Sequence, residues 1–501
     1  MKKKNYLFCL IAGILSGLGF APYSYIPLLF LTYSCFFYLF TKAQNKKQSF
    51  FMGFCFGFGI GAFSMSWLIH ALLIDNGAFA WLVPTVPLGF GLLFGLFFGF
   101  PTLLCYRINH TFARILAFAG WVTIFEWIRS WLLTGFPWNL TGSVWTAWLP
   151  VLQMACVTGV YGLSLFSIIW FAIPFLIYKK QYTWAIVDFS TFAIIATFGF
   201  LRLYEMTPEN VWGVNLRLVQ PNIEQTLKWK TGMAEENFEK HINLSRSKRP
   251  EKITHVLWSE TASPFALDID ENARAMIMHA TGQDTTLITG SLRIADAKGK
   301  QYANSVFVIN DLGEIVSFYD KSHLVPFGEY VPLRGLLPFD KIVPIASDIK
   351  EGSGPKTIRI PNAPSAGVLV CYEVIFPHQV VDRTKPRPQW LINVTNDGWY
   401  GNSAGPYQHL ASAQMRAVEE GLPLVRVAGT GISAIIYPWG QIKSSLPLNT
   451  SGILDDRLPK ALENVPIYAR CGNIIPLILS LFCIVFALIL NRKSAKIQIN
   501  G

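Results

Sequence analysis

Residues 366–377 read AGVLVCYEVIFP. Of these, 366–373 (AGVLVCYE) read as a strand, led by small and branched apolar residues. Cys371 sits at the end of its apolar part, where a nucleophile at a strand end would sit. On position alone Cys371 is either a reactive thiol or an inert core cysteine. Working outward, similar runs occur at 215–221 (NLRLVQP), 255–260 (HVLWSE), 285–293 (TTLITGSLR), 303–310 (ANSVFVIN) and 314–320 (EIVSFYD). Others lie at 390–397 (WLINVTND), 423–429 (PLVRVAG) and 433–438 (SAIIYP), and helical patterns fill 232–247, 271–281 and 407–421. Strands interleaved with helices over about 250 residues indicate a layered α/β domain. The loop 340–356, with its Gly and Ser, reads as mobile.

Cys371 is the one cysteine of that domain, which rules out a disulfide framework within it. Cys9, Cys35, Cys55, Cys105, Cys156 and Cys483 lie in long apolar stretches, and Cys471 borders the last of them. The sequence contains no HExxH, paired CxxC, GxSxG, P-loop or dinucleotide fingerprint, so no metal and no cofactor is expected. His323 and His378 are nearest to the cysteine in sequence, and neither is obviously placed as its base.

The rest of the chain is of another kind. The whole is 52% hydrophobic, 14% aromatic and 15% charged, against roughly 25% charged in ordinary soluble proteins. That excludes a disordered chain and argues against an all-soluble one. Residues 1–203 hold three acids (Asp75, Glu126, Asp188) against twelve Lys/Arg, while residues 204–501 hold 28 acids and 30 bases. The net charge of +11 is therefore no nucleic-acid footprint, since the balanced half carries no basic excess to speak of. Apolar runs long enough to span a bilayer fall near 5–22, 25–41, 50–72, 79–105, 112–133, 154–178 and 183–203, with an eighth near 473–490. Lys2–Lys4, Lys42, Lys46, Lys47, Arg107, Arg114, Lys179, Lys180, Arg492, Lys493 and Lys496 all fall on one side of that alternation. The positive-inside rule then predicts cytoplasmic termini and an extracytoplasmic 204–472 segment.

Gly53, Gly57 and Gly61, like Gly91, Gly95 and Gly99, form small-residue ridges suited to close helix packing. Glu126 and Arg129 share a helix face near a span end, as a structural pair or as a contact for a lipid headgroup. Trp131, Phe136, Trp138, Trp145 and Trp148 crowd the segment 131–148, as an interfacial aromatic belt does.

Three segments carry the chemistry: WSETASPF (258–265) with Glu260, YDKSHLVPFGEYVP (319–332) with Lys321, and LVCYEVIFP (369–377) with Cys371. Each reactive residue follows a strand. The set resembles the nitrilase superfamily, whose Glu–Lys–Cys triad occurs in that order. With the spans, QPNI…KW (220–229) and NVTNDGWYG (393–401), the chain resembles the apolipoprotein N-acyltransferase family along its whole length.

The resemblance implies a polytopic α-helical bundle of about eight spans joined to a periplasmic αββα sandwich. Its parts would be a seven-span domain at 1–204, a catalytic domain at 205–471, and a last span with a cytoplasmic tail at 472–501. In that scheme Glu260 is the base, Lys321 the cation beside the tetrahedral intermediate, and Cys371 the nucleophile. Desolvation of Glu260 would raise its basicity. Glu329 would orient the lysine or contact the intermediate, and Tyr372 and Glu373 would support the nucleophile by acting in catalysis or by shaping its turn. Phe136, Trp138, Trp229 and Trp399 would line a lipid portal.

The implied reaction moves an acyl chain from sn-1 of phosphatidylethanolamine, through a Cys371 thioester, to the α-amino group of an S-diacylglyceryl cysteine on an apolipoprotein. The expected setting is the bacterial inner membrane, and the expected state is a monomer. A membrane-tethered amidase or nitrilase, with water as acceptor, would use the same triad. A transporter or sensor with a dead domain is the non-enzyme alternative.

Overall fold

The computed structural model describes residues 3–74, 79–230, 232–247, 252–296, 301–332 and 349–500, the last six without their side chains. Of the loop expected at 340–356, residues 340–348 lie outside the described residues. The chain divides into two units, one of Met1–Ile69, Trp81–Met206 and Val465–Gly501, the other of His70–Ala80 and Thr207–Asn464.

The first unit is helical. Among the described residues five helices are long and apolar enough to cross a membrane: Ala80–Leu104, Thr111–Arg129, Ala155–Tyr178, Tyr182–Glu205 and Ile474–Ser494. A pair bent by 45°, Lys46–Ser64 with Ser66–Leu73, makes a sixth if it counts as one span. Lys4–Gly19 and Ile26–Phe40 are apolar but shorter. At a rise of about 1.5 Å per residue they reach roughly 22–24 Å, short of a core of about 30 Å. The eight runs read from hydropathy are thus five or six helices of spanning length and two shorter ones.

Local chemistry sets the helix starts. Asn45 caps Lys46–Ser64 by accepting from the Gln48 N–H at 2.9 Å, and His110 Nδ1 caps Thr111–Arg129 by accepting from the Ala113 N–H at 3.2 Å. The two glycine ridges do different things. A Cβ on Gly53, Gly57 or Gly61 would collide with the carbonyl oxygens of Phe98, Phe94 and Phe90, so this face lies on the backbone of the Ala80–Leu104 helix. Gly91, Gly95 and Gly99 on that helix instead receive the rings of Phe58, Phe54 and Phe50.

Glu126 and Arg129, both buried, pin the segment that follows their helix. Glu126 Oε1 accepts from the Thr141 N–H (2.8 Å) and hydroxyl (2.7 Å). Arg129 Nη1 donates to the carbonyls of Phe136 (3.0 Å) and Trp138 (2.8 Å), and its guanidinium lies 4.3 Å from the Phe94 ring centre.

The second unit is built on two six-stranded sheets. The first contains β1 (Asn210–Gln220), β2 (His255–Trp258), β3 (Thr286–Ile294), β4 (Tyr302–Ile309) and β5 (Ile315–Asp320). The second contains β6 (Thr357–Ile358), β7 (Ala366–Val370), β8 (Trp390–Thr395), β9 (Leu424–Ala428), β10 (Ser433–Ile436) and β11 (Ile442–Leu446), and β12 (Gly452–Pro459) returns to the first. The orders are β12-β1-β2-β3-β4-β5 and β11-β10-β9-β8-β7-β6. In each sheet three adjacent strands are parallel, β1–β3 and β7–β9, and antiparallel strands flank them.

Strand alternation sorts the layers. Leu216, Leu218, Leu257, Ile288 and Val306 of the first sheet share one core with Val368, Val370, Ile392, Val394 and Val425 of the second. Val256, Trp258, Leu287 and Phe307 point the other way, into a cluster with Phe238, Ile242 and Ile277 from the helices Ala234–Arg246 and Glu271–Thr281. The helix Gly405–Glu420 packs on the second sheet at β9. Helix, sheet, sheet and helix form four layers.

Candidate active site

Three strands of the second unit end on the triad. Glu260 lies two residues past β2, Lys321 directly follows β5, and Cys371 directly follows β7. Gly290 of β3 makes room for the first of them: a Cβ there would sit 2.5 Å from Thr261 N and 2.7 Å from Glu260 Cα. Its backbone also holds that turn, through Gly290 N–H to Ser259 O (3.2 Å) and Ala262 N–H to Gly290 O (2.9 Å). Lys321 is set by its own N–H, which donates to Asn304 O at 2.8 Å.

The side chains converge. Lys321 Nζ, 1% exposed, lies 2.9 Å from Glu329 Oε2 and 3.4 Å from Glu260 Oε1. Asn304 Nδ2 donates to both carboxylates, to Glu260 Oε1 at 2.8 Å and to Glu329 Oε1 at 3.0 Å. The Val325 N–H fixes Glu329 at 2.8 Å. Cys371 is buried, within hydrogen-bonding reach of the Glu260 carboxylate. Two acids therefore flank one ammonium beside one thiol, and the Asn304 amide and the Val325 N–H fix those acids.

A second lysine approaches from behind. Lys228 Nζ donates to Glu260 O (2.9 Å) and to Thr261 Oγ1 (2.8 Å).

The electrostatics differ from the expectation of a desolvated, more basic Glu260. Burial does push its carboxyl upward, but Lys321, Lys228, Asn304 and the Cys371 thiol outweigh burial and leave it below the ordinary glutamate range. Burial, and next the neighbouring Glu260 charge, push the Cys371 thiol up to about 12. Burial lowers Lys321, but Glu329, Glu260 and Cys371 more than reverse that, so it stays a fixed cation. Lys228 is pushed down to about 8 by burial, against the pull of Glu260 and Cys371. The resting pair is thus a carboxylate and a neutral thiol.

The expected nucleophile sits on a strained turn. Cys371 has φ +51° and opens the short helix Cys371–Ile375. A left-handed conformation costs a non-glycine residue about 1–2 kcal/mol. The strand read through residue 373 stops at Val370 for this reason. Glu373 braces the turn. Its Oε2 accepts from the Val370 N–H (2.6 Å), and its Oε1 from the Ser322 N–H (2.7 Å), the His323 N–H (3.0 Å) and the Tyr319 hydroxyl (2.7 Å). One carboxylate so ties the loop after β5, which carries Lys321, to the turn that carries Cys371. Tyr372 packs on Phe376, ring centres 5.1 Å apart.

The aromatic candidates separate. Trp229 is 42% exposed and lines a cleft with Lys228, Thr261 and Asn396. Trp399 is half-buried in the turn Asp397–Tyr400. Phe136 and Trp138 belong to the first unit, where Trp138 is buried with its ring 5.0 Å from Trp67 and 6.1 Å from Phe136.

Sequence reasoning passed over Asn304, Lys228, Gly290 and His409. The available signals were an Asn inside the β-branched run ANSVFVIN, the Lys of QTLKW and the Gly inside TTLITGSLR. His409 comes near Cys371 from 38 residues away, with Nε2 3.0 Å from Cys371 O and Nδ1 2.8 Å from Asp397 Oδ1. Cys371, Asp397 and His409 offer atoms within 4.8 Å of one another, close enough to hold a metal ion. Both ring nitrogens face oxygen acceptors and Asp397 is paired with Arg426 at 2.6 Å, so the set reads as a hydrogen-bonded cluster. His323 stacks on Phe376 at 3.8 Å.

Residues 12–173 match the family model described as the apolipoprotein N-acyltransferase N-terminal domain, and residues 215–463 match carbon-nitrogen hydrolase. The chain is 36% identical to an apolipoprotein N-acyltransferase of Rhodopseudomonas palustris, over 98% of this chain and 95% of that one. It is 37% identical to the enzyme so named from Bradyrhizobium diazoefficiens (98% and 96% covered) and 35% to that from Rickettsia prowazekii (97% and 99%). An amidase from Nesterenkonia sp. of known structure is 18% identical, covering 50% of this chain and 92% of its own, with a TM-score of 0.37. The triad geometry, the nitrilase-like α/β domain and the apolar helices thus meet in one assignment: the chain is a membrane acyltransferase and belongs to the apolipoprotein N-acyltransferase family.

Proposed function

We propose that the chain transfers an acyl group from the sn-1 ester of a phospholipid, phosphatidylethanolamine in the first instance, to the N-terminal S-diacylglyceryl cysteine of apolipoproteins. Cys371 Sγ attacks the ester carbonyl while its proton passes to Glu260. Lys321 stabilises the oxyanion. Collapse expels the lysophospholipid alkoxide, which takes the proton back from Glu260, and leaves a Cys371 thioester. The acceptor's free α-amine then attacks the thioester, Glu260 accepts its proton, and the amide departs as the thiol is restored. Glu329 holds Lys321, and Tyr372 and Glu373 support the turn. Trp229 and Trp399 are the proposed lipid contacts on the catalytic side, and Phe136 and Trp138 those of the helical unit.

The observation that carries this reading is the approach of Lys321 and Glu260 to one buried cysteine in a chain whose full-length relatives are named for the reaction. The proposed setting is the bacterial inner membrane, with eight passes, cytoplasmic termini and a periplasmic catalytic domain, as the loop charges favour. Monomeric action without cofactor completes the proposal.

The test is intact mass of the detergent-solubilised chain after incubation with phosphatidylethanolamine alone. The expected result is a gain of one acyl group, removed by hydroxylamine and absent from Cys371→Ala. No adduct, with small amides hydrolysed instead, would replace this reading with a tethered amidase.

A further inference from the structure

Glu373 holds the end of β7 just before Cys371, through the Val370 N–H. The peptide after it is held from the opposite direction, by a cluster that the reaction above does not use. His409, fully buried on the helix Gly405–Glu420, places Nε2 3.0 Å from the Cys371 carbonyl oxygen. A carbonyl can only accept, so Nε2 carries the hydrogen. The other edge of the ring meets Asp397 Oδ1 at 2.8 Å and Arg426 Nη2 at 3.1 Å; burial and Arg426 disfavour a second proton on the ring, so Nδ1 accepts from Arg426, which Asp397 holds.

Asp397 is itself locked. Its Oδ2 pairs with Arg426 Nη2 at 2.6 Å, and its Oδ1 accepts from the Thr395 hydroxyl at 3.0 Å. Arg426, on β9, also donates to Asn393 on β8 and to Ile432 O at 3.2 Å, and its Nη2 lies 3.1 Å from His409 Nδ1. Tyr400 covers the ring edge-on, with centres 5.8 Å apart. Asp397, His409 and Arg426 side chains are all 0% exposed.

We infer that His409 is a positioning residue for the nucleophile, its Nε2–H clamping the Cys371 carbonyl while Asp397 and Arg426 hold the ring. Cys371 already has φ +51°, a conformation that persists only where its surroundings impose it. Fixing the carbonyl fixes ψ, and with both dihedrals set the direction of the Cα–Cβ bond is set, leaving χ1 alone to place Sγ. Histidine here acts on the backbone of the nucleophile, not on its thiol. The clamp runs through β8, which pairs with β7, and β9, which pairs with β8, so the sheet's register is transmitted to the turn that carries Cys371.

This inference rests on the thioester reading for one of its two readouts. Gln places an amide N–H where Nε2–H stood, and Asn places one where Nδ1 stood. In the full detergent-solubilised chain, His409→Gln is expected to form the acyl-enzyme from phosphatidylethanolamine within about 5-fold of the parent rate. His409→Asn is expected to lose about 100-fold, in the maximal rate rather than in KM for lipid, because 1 Å of misplacement can cost that much. Alkylation of Cys371 by iodoacetamide, followed by mass, should split the two variants the same way. Equal loss in both variants, or full activity in His409→Asn, overturns the clamp. Should the parent chain form no acyl adduct, the thioester reading falls and the alkylation split alone decides the clamp. A variant that fails to fold, judged by its thermal transition, is replaced by Asp397→Asn. That change loosens the ring without removing Nε2–H, and should slow alkylation less than His409→Asn does in any folded preparation. Alkylation unchanged by Asp397→Asn and equal across all folded variants overturns the proposal.

Discussion

Glu126–Arg129 in the helical unit and Glu260–Lys321–Glu329 in the sheet unit look alike in a sequence, each an acid and a base set among apolar residues. Their hydrogen bonds distinguish them. The bonds of Glu126 and Arg129 run mainly to one connecting segment, to the Thr141 N–H and hydroxyl and the carbonyls of Phe136 and Trp138, with the Ser164 hydroxyl a further partner of Glu126. Lys321, Glu260 and Glu329 bond chiefly to one another and to Asn304, beside a thiol. The first arrangement satisfies polar groups that burial would otherwise leave unpaired. The second concentrates mutually dependent charges at one point, which is expensive unless chemistry requires it. Where a buried charge sends its hydrogen bonds is thus a better guide to its role than its identity.

The largest effect expected from that contrast is at Lys321. Lys321→Met leaves Glu260 and Glu329 with no ammonium between them and removes the proposed oxyanion partner. Loss of one oxyanion donor alone typically costs about 10²–10³ in rate. Acyl-enzyme formation, followed by mass, should fall by at least that factor. A variant retaining a tenth of parental activity would break the comparison on its catalytic side.

Next comes Gly290, which touches no substrate in this scheme. Gly290→Val forces the 259–261 turn off β3 and moves Glu260 relative to Cys371. A rate loss of about 10²-fold is expected, since displacements near 1 Å can have that effect, with a thiol that still reacts with iodoacetamide.

The opposite signature is expected from Glu126→Ala. It strands the buried Thr141 N–H and hydroxyl, a loss of about 1–3 kcal/mol. The thermal transition should drop while acylation per folded molecule stays within about 3-fold. Lost acylation at unchanged stability would return Glu126 to the role of a lipid headgroup contact.

These differences explain how much was legible beforehand. Glu260, Lys321 and Cys371 each follow an apolar strand, and the turn after a strand is a place a sequence marks clearly. The layered α/β character was equally plain, because β2, β3, β7 and β8 are short, mostly apolar runs with β-branched residues among them. The edge strands β11 (IKSSL) and β12 (GILDDRLP) were not seen, since edge residues are half-exposed and show neither alternation nor a continuous apolar run. Hydropathy could count apolar runs but not tell that Lys4–Gly19 and Ile26–Phe40 stop short of a full span. Asn304 and His409 were invisible for a simpler reason: each acts on residues 17–44 or 38 positions away, on another strand or element. The direction of the Glu260 shift needed Lys228, Lys321 and Asn304 to be placed together, and no single stretch of sequence contains all three.

That shift supplies the smallest and most diagnostic effect. In the proposed reaction acylation requires Glu260 as its carboxylate, and its neighbours hold the carboxyl below the ordinary value. The rate should therefore stay level as pH falls through neutrality and decline only below the usual glutamate range near 4.3. Stability follows the same sign. A depressed carboxyl contributes stability above its unfolded value and loses it as pH falls through the folded one. Lys228 is one of the two cations responsible, yet it bonds only the Glu260 carbonyl and Thr261, not the carboxylate. Lys228→Met should move the acid limb of the acylation profile upward while keeping most of the plateau rate, whereas Lys321→Met removes the plateau itself. An acid limb that stays in place in Lys228→Met would mean that Lys321 and Asn304 alone set the carboxylate. The second lysine would then belong with Glu126 and Arg129, among charges whose work is to hold a segment in place.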